Sequence, residues 1–505
     1  MTLRTILIVA PLLAVLLTAA TAEERPQLKN PFFAMDTGFR DGKHGTPEQR
    51  AGTLAELGYA GSDHSGTGGL PETLKAYKAK GLRLFGIYVG VSIDSPDVPA
   101  GIAAAIEQLK GSGAFLWVPL QSRKLKKSDP AGDEQAAALL RKIADLAEPA
   151  GVTIALYPHT GSWVERVEDA ARVAKETGRK SVGATFNLCH WLQVDGKDLE
   201  GSLRTAGPQL AVVTINGADN GAKGWGQLIQ TLDKGTFDVA RVLYALGDLN
   251  YAGPIGLQAY GIKGDSKENL RRSMEAWKVL SARAASKRER FLAGGGLGAF
   301  PGETGDWLIA GEASSDPADD KKLAWKAGTG VLVNGPKGRT RNLFTKLEHG
   351  DCEAHVEFVV PKGSNSGVYF QGRYEIQILD SWGVEKPQHG DCGGIYQRWD
   401  NGRGYEGRPP RVNASHPPGQ WQVFDVTFRA PRFDAAGKKT ANARFVRVVH
   451  NGVIVHENEP VTGPTRAAAF GDEKPLGPLM LQGDHGPVAY RNFWVIPRDF
   501  SEKTK

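Results

Sequence analysis

The chain has 505 residues, 41% of them apolar and 23% charged, a balance that excludes disorder and, at this length, a single core. Its net charge of +6 is small for the size, Lys and Arg are scattered along the chain, and no nucleic-acid motif accompanies them, so a nucleic-acid partner is excluded. Two or three domains are expected.

The first element is a leader. Arg4 precedes an apolar stretch from Ile6 to Leu17, and Ala20-Thr21-Ala22 supplies small residues at a cleavage point after Ala22. This layout predicts a signal peptide over 1–22 and a secreted or periplasmic protein. The apolar run is short for a membrane span, and no Cys follows it to carry a lipid. No other segment is apolar enough to cross a bilayer, so no span is expected once the leader is cut.

From residue 30 to 285, short apolar runs alternate with helical patterns in units of roughly 30 residues, the rhythm of βαβ architecture. Eight candidate strands centre on Phe33, Tyr59, Phe85, Leu116, Ile154, Val182, Val213 and Ile255. Several, such as Val152–Leu156 and Leu210–Ile215, are apolar on both faces, as a parallel sheet covered on both sides requires. Helical spacing lies between them, for example over Glu134–Glu148 and Val164–Thr177. Eight such units predict a (β/α)8 TIM barrel.

Four runs sharpen this reading: Gly58-Tyr59, Gly151-Val152-Thr153-Ile154-Ala155-Leu156 with Pro158-His159, Phe186-Asn187-Leu188-Cys189-His190, and Gly253-Pro254-Ile255-Gly256. On them the domain resembles the xylose isomerase-like barrels of sugar phosphate isomerases and epimerases. That resemblance implies a site at the C-terminal strand ends, where the family places Glu, Asp, His and Glu around a divalent cation. The matching positions here are Tyr157, Asn187, Asn216 and Gln258. Amides and a phenol lack the anionic oxygen a hard cation needs, so no metal and no other cofactor is expected. Asp36, Asp63, His64, His159, His190 and Asp219 also fall near strand ends. Two readings stand for this pocket: a metal-independent sugar site using His159 or His190 as acid or base, or a degenerate barrel with structural histidines.

A basic run at Ser286–Arg290 and glycines over Gly294–Gly298 then predict a linker over 286–302. Beyond it helical periodicity stops. Strand patterns run over Cys352–Val360, Gly367–Gln371, Tyr374–Asp380, Trp421–Ala430, Ala443–His450, Val453–His456 and Val488–Ile496, with Asn451-Gly452 as a hairpin turn. Residues 303–498 therefore read as an all-β jelly-roll sandwich. The three cysteines, Cys189, Cys352 and Cys392, have no zinc spacing, and the pairing of the last two stays open.

Side chains alternate faces along a strand. Val368, Phe370, Ile376 and Ile378 then point to a core. Tyr369, Gln371, Arg373, Glu375 and Gln377 point the other way, given a tight turn at Gly372. Leu479 and Leu481 suit the core, Gln482 opposes them, and Asp484-His485 follow at the strand end.

The run from Asn365 to Asp380, NSGVYFQGRYEIQILD, resembles the signature of the 3-keto-disaccharide hydrolase family, a concanavalin A/laminin-G-like jelly roll. So do Cys392-Gly393-Gly394-Ile395-Tyr396, Pro417-Pro418-Gly419-Gln420-Trp421, His450-Asn451-Gly452, Leu481-Gln482-Gly483-Asp484-His485-Gly486 and Tyr490-Arg491-Asn492-Phe493. The resemblance implies a carbohydrate-directed hydrolase or lyase acting on 3-keto sugars. A ketone at the third carbon acidifies the neighbouring C–H, so a base, an enolate stabiliser and an acid are needed. Glu375 or His485 is the candidate base. Arg373, Gln377 or Tyr396 would stabilise the enolate, and Asp380 or Tyr396 would donate the proton. Asn365, Tyr369, Gln371, Gln482 and Asp484 complete the expected substrate contacts. The other reading is a non-catalytic glycan-binding protein, a lectin-like sandwich on a degenerate barrel, because jelly rolls serve both roles.

Overall fold

The computed structural model describes residues 28–194, 196–292 and 295–500. The leader and its cleavage point at Ala22 lie outside the described residues.

The first half is a closed barrel of eight parallel strands: β1 (Phe32–Ala34), β2 (Gly61–Ser65), β3 (Arg83–Tyr88), β4 (Phe115–Val118), β5 (Thr153–Leu156), β6 (Val182–Asn187), β7 (Leu210–Ile215) and β8 (Ile255–Leu257). Closure is direct, with Phe32 of β1 opposite Ile255 of β8. The two apolar faces of each strand have separate destinations. Phe33, Phe85, Phe115, Trp117, Ala155 and Tyr157 fill the interior as one cluster, and the Trp117 indole N–H donates to Thr185 Oγ1 at 2.7 Å across it. The opposite faces pack on the helices. The interior is solid, so chemistry is confined to the C-terminal mouth.

One strand lies later than its apolar run suggested. Gly58 ends the preceding helix at φ 82, and β2 begins at Gly61. Tyr59 instead points into the helix layer, where its hydroxyl donates to the Leu270 carbonyl at 2.8 Å. Gly61 has φ 150, and a Cβ there would stand 1.8 Å from the Arg83 carbonyl oxygen, so only glycine lets β2 and β3 approach.

The second half is a sandwich of antiparallel sheets. Its strands are β9 (Glu289–Arg290), β10 (Leu308–Asp316), β11 (Asp319–Val333), β12 (Leu343–His349), β13 (Cys352–Val359), β14 (Asn365–Phe370), β15 (Tyr374–Leu379), β16 (Gln422–Arg429), β17 (Ala443–His450), β18 (Val453–Val461), β19 (Gly477–Leu481) and β20 (Ala489–Pro497). The large sheet runs β10-β11-β20-β13-β16-β17-β18, and β9 also pairs with β20. The small sheet runs β12-β19-β14-β15. Val368, Phe370, Ile376 and Ile378 meet Phe424, Phe428 and Tyr490 in the core between them. Cys352 and Cys392 are free thiols in it. The hairpin β10–β11 escaped the sequence pattern because much of it, including the stretch Lys326–Gly330, is exposed and polar or small rather than alternating. Within the segment expected as a linker, Glu289 pairs with Val495 and Arg290 with Trp494, so the chain enters the sandwich already hydrogen-bonded to it.

The outer face of the large sheet rests on the barrel's helices. Trp494 and Ile496 belong to the barrel's apolar cluster, and Trp494 meets Tyr244 edge-on at 4.8 Å. A charged network is sealed beside them. Arg241 pairs with Glu200 at 2.9 Å and reaches Asp425 at 3.4 Å, His355 binds Asp425 at 2.7 Å, and Glu357 lies between His355 and Arg491. Burial opposes a charge on His355, but Asp425 and Glu357 outweigh it and raise its pKa to about 10. The imidazole is therefore a cation at neutral pH, and three cations face three carboxylates.

Candidate active site

On the small sheet, β14 and β15 form a hairpin in which Tyr369 stands opposite Glu375 and Gly367 opposite Gln377. These residues occupy the face turned away from the core. Burial there is nearly complete: Tyr369 is 1% exposed, Glu375 2%, Gln377 5% and Gln482 5%. The Glu375 carboxyl lies over Gly367, where a Cβ would sit 2.3 Å from Oε1, so the glycine in the sequence makes room for the acid.

The surrounding chain fixes this row from three directions. Glu375 N–H donates to Thr465 Oγ1 at 3.2 Å. The run from Gly393 to Tyr396 lies along β15: Gln377 N–H donates to the Gly394 carbonyl and Tyr396 N–H to the Glu375 carbonyl. Gln482 N–H donates to the Gly367 carbonyl at 2.9 Å, which delivers Asp484 and His485 beyond the end of β19. Their side chains pair at 2.6 Å (Oδ1 to Nδ1) and are about half exposed, at 51% and 48%.

Glu375 is the chemically distinctive member. The Tyr369 side chain hydrogen-bonds its carboxyl, while its Oε2 has no partner among the described residues. Among the described residues no cation offsets it. Burial, opposed by the Tyr369 bond and reinforced by the Asp484 charge, raises its pKa to about 8. Glu375 therefore holds a proton at neutral pH. Because the Asp484 charge acts on both Glu375 and Tyr369, the buried row and the half-exposed Asp484–His485 pair form one cluster. Asn365 joins it by accepting from Gln377 Nε2 at 3.4 Å.

Three expected site residues lie elsewhere. Gln371 and Gly372 take positive φ, 54 and 64, and this turn breaks the strand alternation that placed Gln371 and Arg373 on the row. The Gln371 amide donates to the carbonyls of His349 and Pro475. Arg373 binds Asp472 at 2.7 Å and stacks over Phe470, pinning the loop 465–476 instead of facing a ligand. The Asp380 carboxylate accepts from the N–H groups of Gly363 and Trp382, a turn-capping role. Two neighbours were not foreseen, Thr465 and His389, whose ring lies 5.6 Å from that of Tyr396. Both sit in stretches without strand periodicity, so nothing local in the sequence marked them.

At the barrel mouth, Asn187 and Gln258 both donate to the Tyr157 hydroxyl, and Thr37 donates to Gln258 Oε1 at 3.2 Å. The Asn216 amide donates to the Gly217 and Leu228 carbonyls. Its Oδ1 is buried without a partner among the described residues, as is Asp63 Oδ2. Burial and the neighbouring Asp36 push the Asp63 carboxyl well above its ordinary pKa. The His159 and His190 rings lie 4.2 Å apart with their planes inclined at 45°, and Trp225 meets His190 edge-on at 5.3 Å. Burial, helped by His159, lowers the His190 pKa to about 3, leaving a neutral ring. His64 is tied to the Gly68 carbonyl at 2.6 Å, and Asp219 caps its loop through the Thr236 N–H. Among the described residues no three His, Cys, Asp or Glu side chains are grouped to hold a metal ion. A phenol already accepting from two amides fits a hard cation poorly.

Comparison with known proteins follows the same division. Residues 299–496 match the model of the 3-keto-alpha-glucoside-1,2-lyase-like domain, and residues 70–280 match the xylose isomerase-like TIM barrel. Both families are named for sugar chemistry, and together they mark a carbohydrate-active enzyme. No curated protein matches the chain. Among solved structures, a Parabacteroides distasonis protein described provisionally as a glycosyl hydrolase is 26% identical, covering 42% of this chain and 84% of its own, with a TM-score of 0.31. A 3-keto-D-glucoside 4-epimerase from E. coli is 19% identical over 50% of this chain and 99% of its own, with a TM-score of 0.40. A D-psicose 3-epimerase from Clostridium cellulolyticum is 14% identical over 50% and 96%, with a TM-score of 0.38.

Proposed function

We propose that the sandwich, as a 3-keto-α-glucoside-1,2-lyase-like domain, cleaves 3-keto-glycosides by elimination. The observation that carries this reading is the protonated, cation-free Glu375 carboxyl set beside a histidine–aspartate pair. His485, oriented through Nδ1 by Asp484, takes the proton from the carbon next to the ketone. The electron pair passes into the enolate, which the Gln377 amide and the Tyr396 hydroxyl stabilise. The enolate then reforms the ketone, a double bond forms between the first and second carbons, and the glycosidic C–O bond breaks toward the aglycone. Glu375 delivers its proton to the departing oxygen. Water adding across the new double bond completes net hydrolysis.

The test is to incubate the full chain with a 3-keto-disaccharide and with its unoxidised parent. Release of monosaccharide from the keto form alone supports the enzyme, whereas binding of both without turnover supports a lectin-like module. His485→Ala is expected to lower kcat by about 10²-fold or more with KM little changed, and Asp484→Asn to lower it less. An unchanged His485→Ala rate would remove the base from this scheme.

The barrel is assigned the released keto sugar. Its unpartnered Asn216 Oδ1 is an acceptor, and Asp63 Oδ2, on a carboxyl that burial and Asp36 hold toward its protonated form, is a second polar group that a sugar's hydroxyls would satisfy, and no metal enters this reading. Asn216→Leu in the full chain is expected to leave glycoside cleavage intact while the unsaturated keto sugar accumulates, as read by ultraviolet absorbance of the conjugated enone. Equal product ratios in the two proteins would separate the barrel from the pathway. Export is part of the same proposal, and a mature N-terminus at Glu23 is the expected finding on sequencing the secreted or periplasmic protein.

A further inference from the structure

Two runs singled out in the sequence take no part in the Glu375 cluster: the one ending at Trp421 and the one containing Arg491 and Asn492. The fold brings them together on the outer face of the large sheet, where it meets the barrel. There they line a cavity of about 500 Å³ with Trp325, Gly330 and Arg204, the last from the barrel helix Leu199–Ala206. A second cavity of about 350 Å³ shares Arg204, Gly330 and Asn492 and continues along the domain junction to Asp248 and Arg290. The two form one groove of the size that ligand sites occupy.

We infer that this interdomain groove is a separate binding site for an acidic oligosaccharide, a chain of sugar rings carrying carboxylates. Trp325 and Trp421 are only partly buried and supply indole surface for the apolar faces of sugar rings. Trp421 is held in place by Arg491, whose guanidinium lies 4.1 Å from its ring centroid and is anchored below by Glu357. Charge selects the ligand. Beneath the groove the cations Arg241, Arg491 and His355 are matched by Glu200, Asp425 and Glu357, and on the rim Lys326 is matched by Glu312 at 2.7 Å. Arg204 is exposed and has no carboxylate within ion-pair distance among the described residues. At the other end two guanidiniums, Arg288 and Arg290, share the single carboxylate of Asp248. Positive charge is therefore in excess at both ends, and a ligand spanning the groove with carboxylates at intervals matches it. This inference rests on the junction and not on the role given to Glu375.

The experiment is calorimetric titration of the full chain with tetragalacturonate and with a neutral tetrasaccharide, at low and high salt. Saturable binding of the uronate chain that weakens with salt, with the neutral chain bound much more weakly, is expected. Arg204→Ala and Trp325→Ala should each weaken it by about tenfold while turnover of a small 3-keto-disaccharide stays unchanged. Glu375→Gln should leave uronate binding untouched. Absence of saturable uronate binding overturns the inference, as does binding that neither Arg204→Ala nor Trp325→Ala weakens, or equal binding of the neutral chain.

Discussion

Glu375→Gln is expected to reduce kcat on a 3-keto-glycoside by about 10²–10⁴-fold, the loss of a positioned general acid, with the fold preserved. Gln matches the shape of a protonated Glu and keeps an oxygen for the Tyr369 hydroxyl, so only the transferable proton is removed. The pH profile distinguishes this role from its opposite. With a pKa of about 8, an acid loses activity as pH rises through 8, whereas a base would gain it. A falling limb near 8 in the wild type, absent from the residual activity of the variant, is the expected result. Stability follows the same sign. Because the folded pKa lies above the unfolded value near 4.5, the contribution of Glu375 is fully present below that value and is lost as pH rises through 8. Denaturation midpoints of the wild type should fall relative to Glu375→Gln across that window. A variant with full activity, or a limb that rises through pH 8, would refute the assignment of the acid.

Arg241→Ala is expected to destabilise the docked pair of domains by about 3–5 kcal/mol, the range for removing one partner from a buried ion pair. The Arg241 side chain is 8% exposed, and its loss leaves Glu200 without its ion-pair partner and Asp425 with His355 alone. Adding Glu200→Gln to Arg241→Ala should recover much of the loss, because Asp425 keeps His355 and no uncompensated carboxylate then remains beside the vacated position. Two separated transitions in chemical denaturation of the single variant, against a single one in the wild type, would place the damage at the junction. A wild-type melting curve for Arg241→Ala would mean that the network contributes nothing to docking.

Alternation and periodicity reached far in this chain. The eight barrel strands came from apolar runs bounded by helical spacing, and seven of the eight centres fall inside their strands; Tyr59 does not, because Gly61 and the close approach to Arg83 decide where β2 begins. On β14 and β15 the period of two assigned Tyr369, Glu375 and Gln377 to one face and Val368, Phe370, Ile376 and Ile378 to the other. The period fails where φ turns positive, and Gln371 and Arg373 leave the row there.

The order of strands and helices, the neutral side chains Tyr157, Asn187, Asn216 and Gln258 near the strand ends, and the placement of Glu375 on one face with Tyr369 are written in the sequence, because each depends on residue type and near-neighbour spacing. The proton on Glu375 is not. It depends on tertiary packing that buries the carboxyl, with Thr465 and Tyr396, distant in the chain, hydrogen-bonded to the Glu375 backbone and the Asp484 charge brought near. The groove between Arg204 and Trp421 belongs to the same class: two surfaces more than 200 residues apart meet there, and only the docked domains set the charge that faces solvent between them.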